Sequence, residues 1–134
     1  MSASELVSNE DAKGKVAEIY EEIRARFGKV PNFFRAIAGA DPEWLALTWQ
    51  RWKQVMGCEG NLDRKAKELI ALTVSLVRDC EYCSNAHEAM ALMQGASRKE
   101  LVELKKVVEL FESFTRIADS LNVPVDIDPE SVSE

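Results

Sequence analysis

The stretch Asp79-Cys80-Glu81-Tyr82-Cys83-Ser84-Asn85-Ala86-His87 carries two of the chain's three cysteines and its one histidine. Residues three, four and seven apart share a face of an α-helix. Read as a helix, the stretch turns Cys80, Cys83 and His87 to one side. The other common setting for a Cys-x-x-Cys pair is a thioredoxin-type βαβ unit, in which the pair follows a strand. No alternation of strand-like and helix-like segments surrounds this pair, so the helical reading governs the fold.

Upstream, the segment from Asp63 to about Arg78 is apolar almost without break over residues 69–77. Periodicity alone does not separate a buried helix from a buried strand in such a run. Its length and the helix formers Ala66, Lys67, Glu68, Leu69 and Ala71 favour a helix. Near all-round apolarity places it in the middle of the fold or in an oligomer contact. Glu68, at the edge of the run, reads by default as a solvated charge. Downstream, Asp79 is expected to cap a helix that runs through Gln94 and stops at Gly95. Ser97-Arg98-Lys99-Glu100 has the form of a capping box. It opens a helical region to about Leu121, with a break allowed near Lys105-Lys106.

Further out, Val16, Ile19, Tyr20, Ile23 and Phe27 recur at helical spacing in a segment from Asn9, and Gly28 supplies a stop. Val30-Pro31 breaks the pattern before a short helix from Asn32 to Ala38. Asp41-Pro42-Glu43 is a helix opening, with an N-cap oxygen, a first-turn proline and a carboxylate at the positive helix end. That helix runs to about Met56. Leu45, Trp49, Trp52 and Met56 form its stripe; the tryptophans, Trp44 included, read by default as core, with an interface or pocket wall as the alternative, and together with the run 69–77 they lead us to expect an oligomer. Gly57–Asn61 is a turn in which Cys58 reads as an inert thiol. Residues 1–9 read as frayed. The expected architecture is an all-α bundle of about six helices in one domain over 1–134, with a core at about 29–121 and a loose tail over 122–134.

A net charge of −6 disfavours nucleic acid or an anionic membrane as partner, since both are polyanions. The opening residues lack a basic start and an apolar run, and no apolar run approaches the ~20 residues of a membrane span. The expected location is therefore the cytosol, where a Cys-x-x-Cys pair points to redox or metal chemistry rather than a structural disulfide.

Near a helix N-terminus, unpaired backbone N–H groups and the macrodipole stabilise a thiolate. Cysteines three apart can close a disulfide with a modest shift, most easily in a first turn. A closable pair with a reactive thiolate is what thiol–disulfide exchange and peroxide reduction require. His87, four residues beyond Cys83, can exchange a proton with it. If the helices before and after Asp79 fold back on each other, Glu68 and His87 lie at matching distances from the turn, and Glu68, then a buried carboxylate, can orient the imidazole. Two other readings stay open. The cysteines and His87, with Glu68 as a fourth ligand, could bind zinc, although no second Cys pair exists to complete the usual two knuckles. Core packing of all three side chains is the other.

Glu68, eleven intervening residues, Cys80-x-x-Cys83 and then His87 resemble the AhpD-like alkylhydroperoxidase branch of the carboxymuconolactone decarboxylase family. Leu69–Ser75, Gln94-Gly95-Ala96-Ser97 and the upstream Lys29-Val30-Pro31-Asn32-Phe33-Phe34 agree, so the resemblance covers roughly residues 29–120. It implies an all-α fold, assembly into homotrimers or homohexamers, and thiol-based reduction of hydroperoxides without a cofactor or metal. By this resemblance Cys83 is the peroxide-attacking thiolate, Cys80 resolves its sulfenic acid, and His87 and Glu68 relay protons. The electron donor it implies is a dithiol, such as a lipoyl group or a thioredoxin-like protein. The decarboxylase members lack this Cys pair, which argues against that activity. Tyr82 stands where some peroxidases of the family carry a histidine. General disulfide reduction, or a non-catalytic zinc or redox-sensing role, are the competing functions.

Overall fold

In the computed structural model, which describes residues 5–132, the apolar spacing of Val16, Ile19, Tyr20 and Ile23 becomes the buried face of α1 (Gly14–Phe27). Gly28, at φ 77°, ends the helix in the left-handed region that glycine enters without a Cβ clash. α1 starts later than the periodicity from Asn9 implies. Ser8 Oγ accepts the Asp11 N–H at 3.1 Å, a local turn that competes with helix. Part of the segment expected to fray is tied down: the Val7 N–H donates to the Arg35 carbonyl, and Tyr20 Oη donates to the Val7 carbonyl at 2.9 Å. Residues 1–4 of that expectation lie outside the described residues.

α2 (Asn32–Ala40) and α3 (Pro42–Val55) meet at Asp41, whose side chain accepts the Glu43 N–H at 3.0 Å. Trp49 is buried at the centre of this half and stacks on Trp52 with ring centroids 5.0 Å apart. Its indole N–H donates to Glu22 Oε2 at 2.6 Å. Trp44, expected in the core, is instead half exposed.

The chain divides between Glu59 and Gly60 into two compact units. The second holds α4 (Arg64–Val77), α5 (Glu81–Met93), α6 (Arg98–Ser120) and a 3₁₀ turn at Pro129–Ser131. No strand occurs among the described residues, and the six helices make the fold all-α. α4 packs on both α5 and α6. Leu72, Ala91, Ala96 and Leu101 form the buried cluster of this unit. The apolar run 69–77 is buried on one side only: Leu72 and Ser75 face inward, while Ile70, Val74 and Val77 are about half exposed. The Ser97–Glu100 capping box forms with both bonds at 3.0 Å. α6 continues through Lys105-Lys106 without a break.

All three helices of this unit end in the same way. Asp79, Gly95 and Asn122 take positive φ just past the helix ends. The next residue's N–H returns to the carbonyl five positions back, as in Cys80 to Ser75, Ala96 to Ala91 and Val123 to Ala118. This is the Schellman motif, and Asp and Asn are the non-glycine residues that best tolerate its left-handed position.

Candidate active site

The Schellman motif decides how α5 begins. Asp79 is used to terminate α4, so it does not cap α5 as its side chain suggested. The cap is Cys80, which has extended backbone and whose Sγ accepts the Cys83 N–H at 3.2 Å. A sulfur is a weak acceptor, but here it takes one of the donors that every helix N-terminus leaves unpaired. Cys80 and Cys83 are joined as a disulfide across this first turn, with Cα atoms 5.3 Å apart. Both are partly buried, and Tyr82 between them is about half exposed. The remaining cysteine, Cys58, is exposed in the turn after α3.

One turn further along α5 stands His87. Its Nδ1 lies 2.9 Å from Glu68 Oε2, so α4 and α5 bring the two residues together across 19 positions of sequence. Glu68 is 1% exposed, the buried carboxylate that pairing with His87 across the hairpin implies and not the default solvated charge. The sequence reading missed what holds it there. Arg64, one helical turn earlier, donates from Nε and Nη2 to Glu68 Oε1 at 3.1 and 3.0 Å. The i,i+4 spacing of Arg64 and Glu68 was the available signal.

Burial by itself would raise the Glu68 pKa. The hydrogen bonds from His87 and Arg64, with their charges, outweigh it and hold the carboxyl below the ordinary glutamate range. Glu68 is therefore an ionised carboxylate at neutral pH. A carboxylate only accepts hydrogen bonds, so the proton on Oε2's partner belongs to His87 Nδ1. In the neutral ring Nε2 is then the basic nitrogen.

The arrangement can do two things chemically. Its sulfur pair can shuttle between dithiol and disulfide at a helix N-terminus. Its imidazole has its tautomer set by a buried anion. No group of three or more His, Cys, Asp or Glu among the described residues is placed to hold a metal ion. No described helix is long and apolar enough to cross a membrane.

Comparison with known proteins agrees with the motif. Residues 42–126 match the carboxymuconolactone decarboxylase family. The crystal structure of the alkylhydroperoxidase AhpD core from Rhodospirillum rubrum superposes with a TM-score of 0.88 at 30% identity, covering 96% of this chain and 99% of that one. An alkyl hydroperoxide reductase of Mycobacterium tuberculosis is 32% identical over 91 residues, which is 68% of this chain and 26% of that protein. An uncharacterised protein of the cox locus of Paracoccus denitrificans is 35% identical over 69 residues, 52% of this chain and 58% of that one. The chain thus matches about a quarter of the mycobacterial relative and somewhat over half of the Paracoccus one. By family match, fold and motif, it is an AhpD-like member of the carboxymuconolactone decarboxylase family.

Proposed function

We propose that the protein is a thiol-dependent hydroperoxide reductase. The observation that carries this reading is the Cys80–Cys83 pair across the first turn of the same helix that offers His87 to the buried Glu68. In the proposed cycle the Cys83 thiolate attacks an oxygen of the hydroperoxide. An S–O bond forms, the O–O bond breaks, and the alkoxide leaves as the alcohol after taking a proton relayed by His87. Cys80 then attacks the Cys83 sulfenic acid, forming the disulfide and releasing water. A dithiol donor, of lipoyl or thioredoxin-like type, returns the pair to two thiols by exchange.

The helix N-terminus favours the thiolate, and Glu68 fixes His87 with Nε2 as the proton-handling atom. The mycobacterial relative named an alkyl hydroperoxide reductase supports the same class of reaction.

To test it, reduced protein is mixed with an organic hydroperoxide and free thiols are followed. The reading expects two thiols lost per peroxide, no turnover after Cys83→Ser, and a dimedone-trappable sulfenic acid after Cys80→Ser. Cys80 and Cys83 remaining reduced at stoichiometric peroxide would refute it.

We further propose that copies of the chain associate. Ile70, Val77, Val107 and Phe111, each about half exposed, line an apolar groove of about 620 Å³ on α4 and α6. Surface of this kind usually marks an interface. Sedimentation at micromolar concentration should give a mass above that of the 15.0 kDa chain, and a monomer would reject association.

A further inference from the structure

The Arg64–Glu68 pair runs against the rules for helix charges. Arg64 is the first residue of α4, where the helix dipole disfavours a cation. It also lies N-terminal to its acid, the weaker orientation for an i,i+4 pair. A pair placed for helix stability would be reversed. What the arrangement achieves is the filling of Glu68 Oε1 by two N–H donors of Arg64, while Oε2 meets His87 among the described residues.

We infer that Arg64 is a positioning residue which, by gripping one oxygen of Glu68, keeps the acid an acceptor and so decides which nitrogen of His87 is basic. The inference rests on the hydroperoxide-reductase reading only for the use made of that nitrogen. Without the guanidinium, a carboxyl 1% exposed faces burial with only the imidazole to offset it. The Glu68–His87 pair then holds an extra proton to higher pH, either as imidazolium or as a neutral acid donating to Nδ1. In both forms Nε2 carries a hydrogen and cannot act as a base. The charges acting on Glu68 are Arg64 on its own helix and His87 on α5. Of the neighbouring charges, Glu100 on α6 is paired with Lys65 at 2.6 Å, and Glu88 on α5 with Lys105 of α6 at 3.0 Å.

His87 is the chain's one imidazole, so its two nitrogens can be read directly by ¹⁵N NMR of the full, labelled protein. The oxidised chain is used, in which Cys80 and Cys83 do not titrate. The wild type should pass on raising the pH to a neutral ring protonated at Nδ1. In Arg64→Gln this transition should move up by about one pH unit or more, the size of effect expected for losing a close opposite charge. Arg64→Lys keeps the charge without the two-pronged contact and should fall between. A role in helix stability alone would lower thermal stability and leave the ring transition where it was. Transitions at the same pH in all three proteins would overturn the inference. Should Arg64→Gln not fold, Arg64→Lys decides, with a transition identical to wild type as the contrary result. The nitrogen signals do not depend on turnover, so a protein inert to peroxide but showing the shift would refute the reductase reading and leave this inference standing.

Discussion

The two units of this chain solve the same problem of burial in different ways. Among the described residues, the first gathers ten buried apolar residues in one cluster, with Tyr20, Ile23, Leu45 and Trp49 almost fully enclosed. The second gathers four, two of them alanines. It gives interior space to the carboxylate of Glu68 and leaves Ile70, Val74, Val77 and much of α6 apolar and exposed. The first unit is a packing solution. The second trades packing for chemistry, because a buried acid that must stay ionised needs donors rather than methyl groups around it.

Trp49→Ala should break the first half of this contrast most severely. Its ring is 2% exposed and packs with Phe27, Phe34 and Trp52. Removal should cost about 3–5 kcal/mol in urea unfolding. Peroxide oxidation of the thiols in the folded fraction should keep its rate. A loss below about 1 kcal/mol would show that this cluster is not where stability resides.

The matching change in the second unit is Glu68→Gln, which keeps size and removes charge. It should lower the rate of peroxide reduction about a hundredfold, the lower range for loss of acid–base assistance. An unchanged rate in a folded variant would separate the acid from the chemistry.

A smaller effect sharpens the comparison through pH, since each unit holds at least one acid below its ordinary range. Glu22 is held there by the Trp49 indole N–H first and Lys53 next, Glu68 by His87 and Arg64 against its own burial. For such groups the unfolded chain binds more protons than the folded one as acid is added. Their contribution is complete above the unfolded value of about 4.3 and is lost as pH falls through the lower folded value. Urea midpoints from pH 7 down to 3 should therefore fall less steeply in Glu68→Gln than in the wild type. Parallel curves would show that Glu68 carries none of the acid sensitivity.

What the sequence disclosed, it disclosed through local rules. The Ser97–Glu100 box and the Asp41-Pro42 opening depend on residues within four positions, and both are present as expected. The Glu68–His87 contact was legible because equal distances from a turn put residues of a hairpin opposite each other. The start of α5 was misread because Asp79 suits two jobs, N-cap and left-handed C-terminal residue, and only the bond from Cys80 N–H to the Ser75 carbonyl chooses between them. Glu68, beside arginine and lysine at a helix start, reads by default as solvated; only its pairing with His87 across the hairpin makes it a buried carboxylate, and it is 1% exposed. The apolar run 69–77 allowed either the middle of the fold or an oligomer contact, and hydrophobicity alone does not choose; in the single chain its Ile70, Val74 and Val77 side faces outward.

The central claim is that these sulfurs exchange electrons with a peroxide, and mass spectrometry of each cysteine after a single turnover tests it most directly. Fully reduced protein given one equivalent of an organic hydroperoxide should be recovered with Cys80 and Cys83 joined, Cys58 still a thiol, and one equivalent of alcohol released. Peroxide left unconsumed with all three thiols intact, or oxidation at Cys58 alone, would contradict the account.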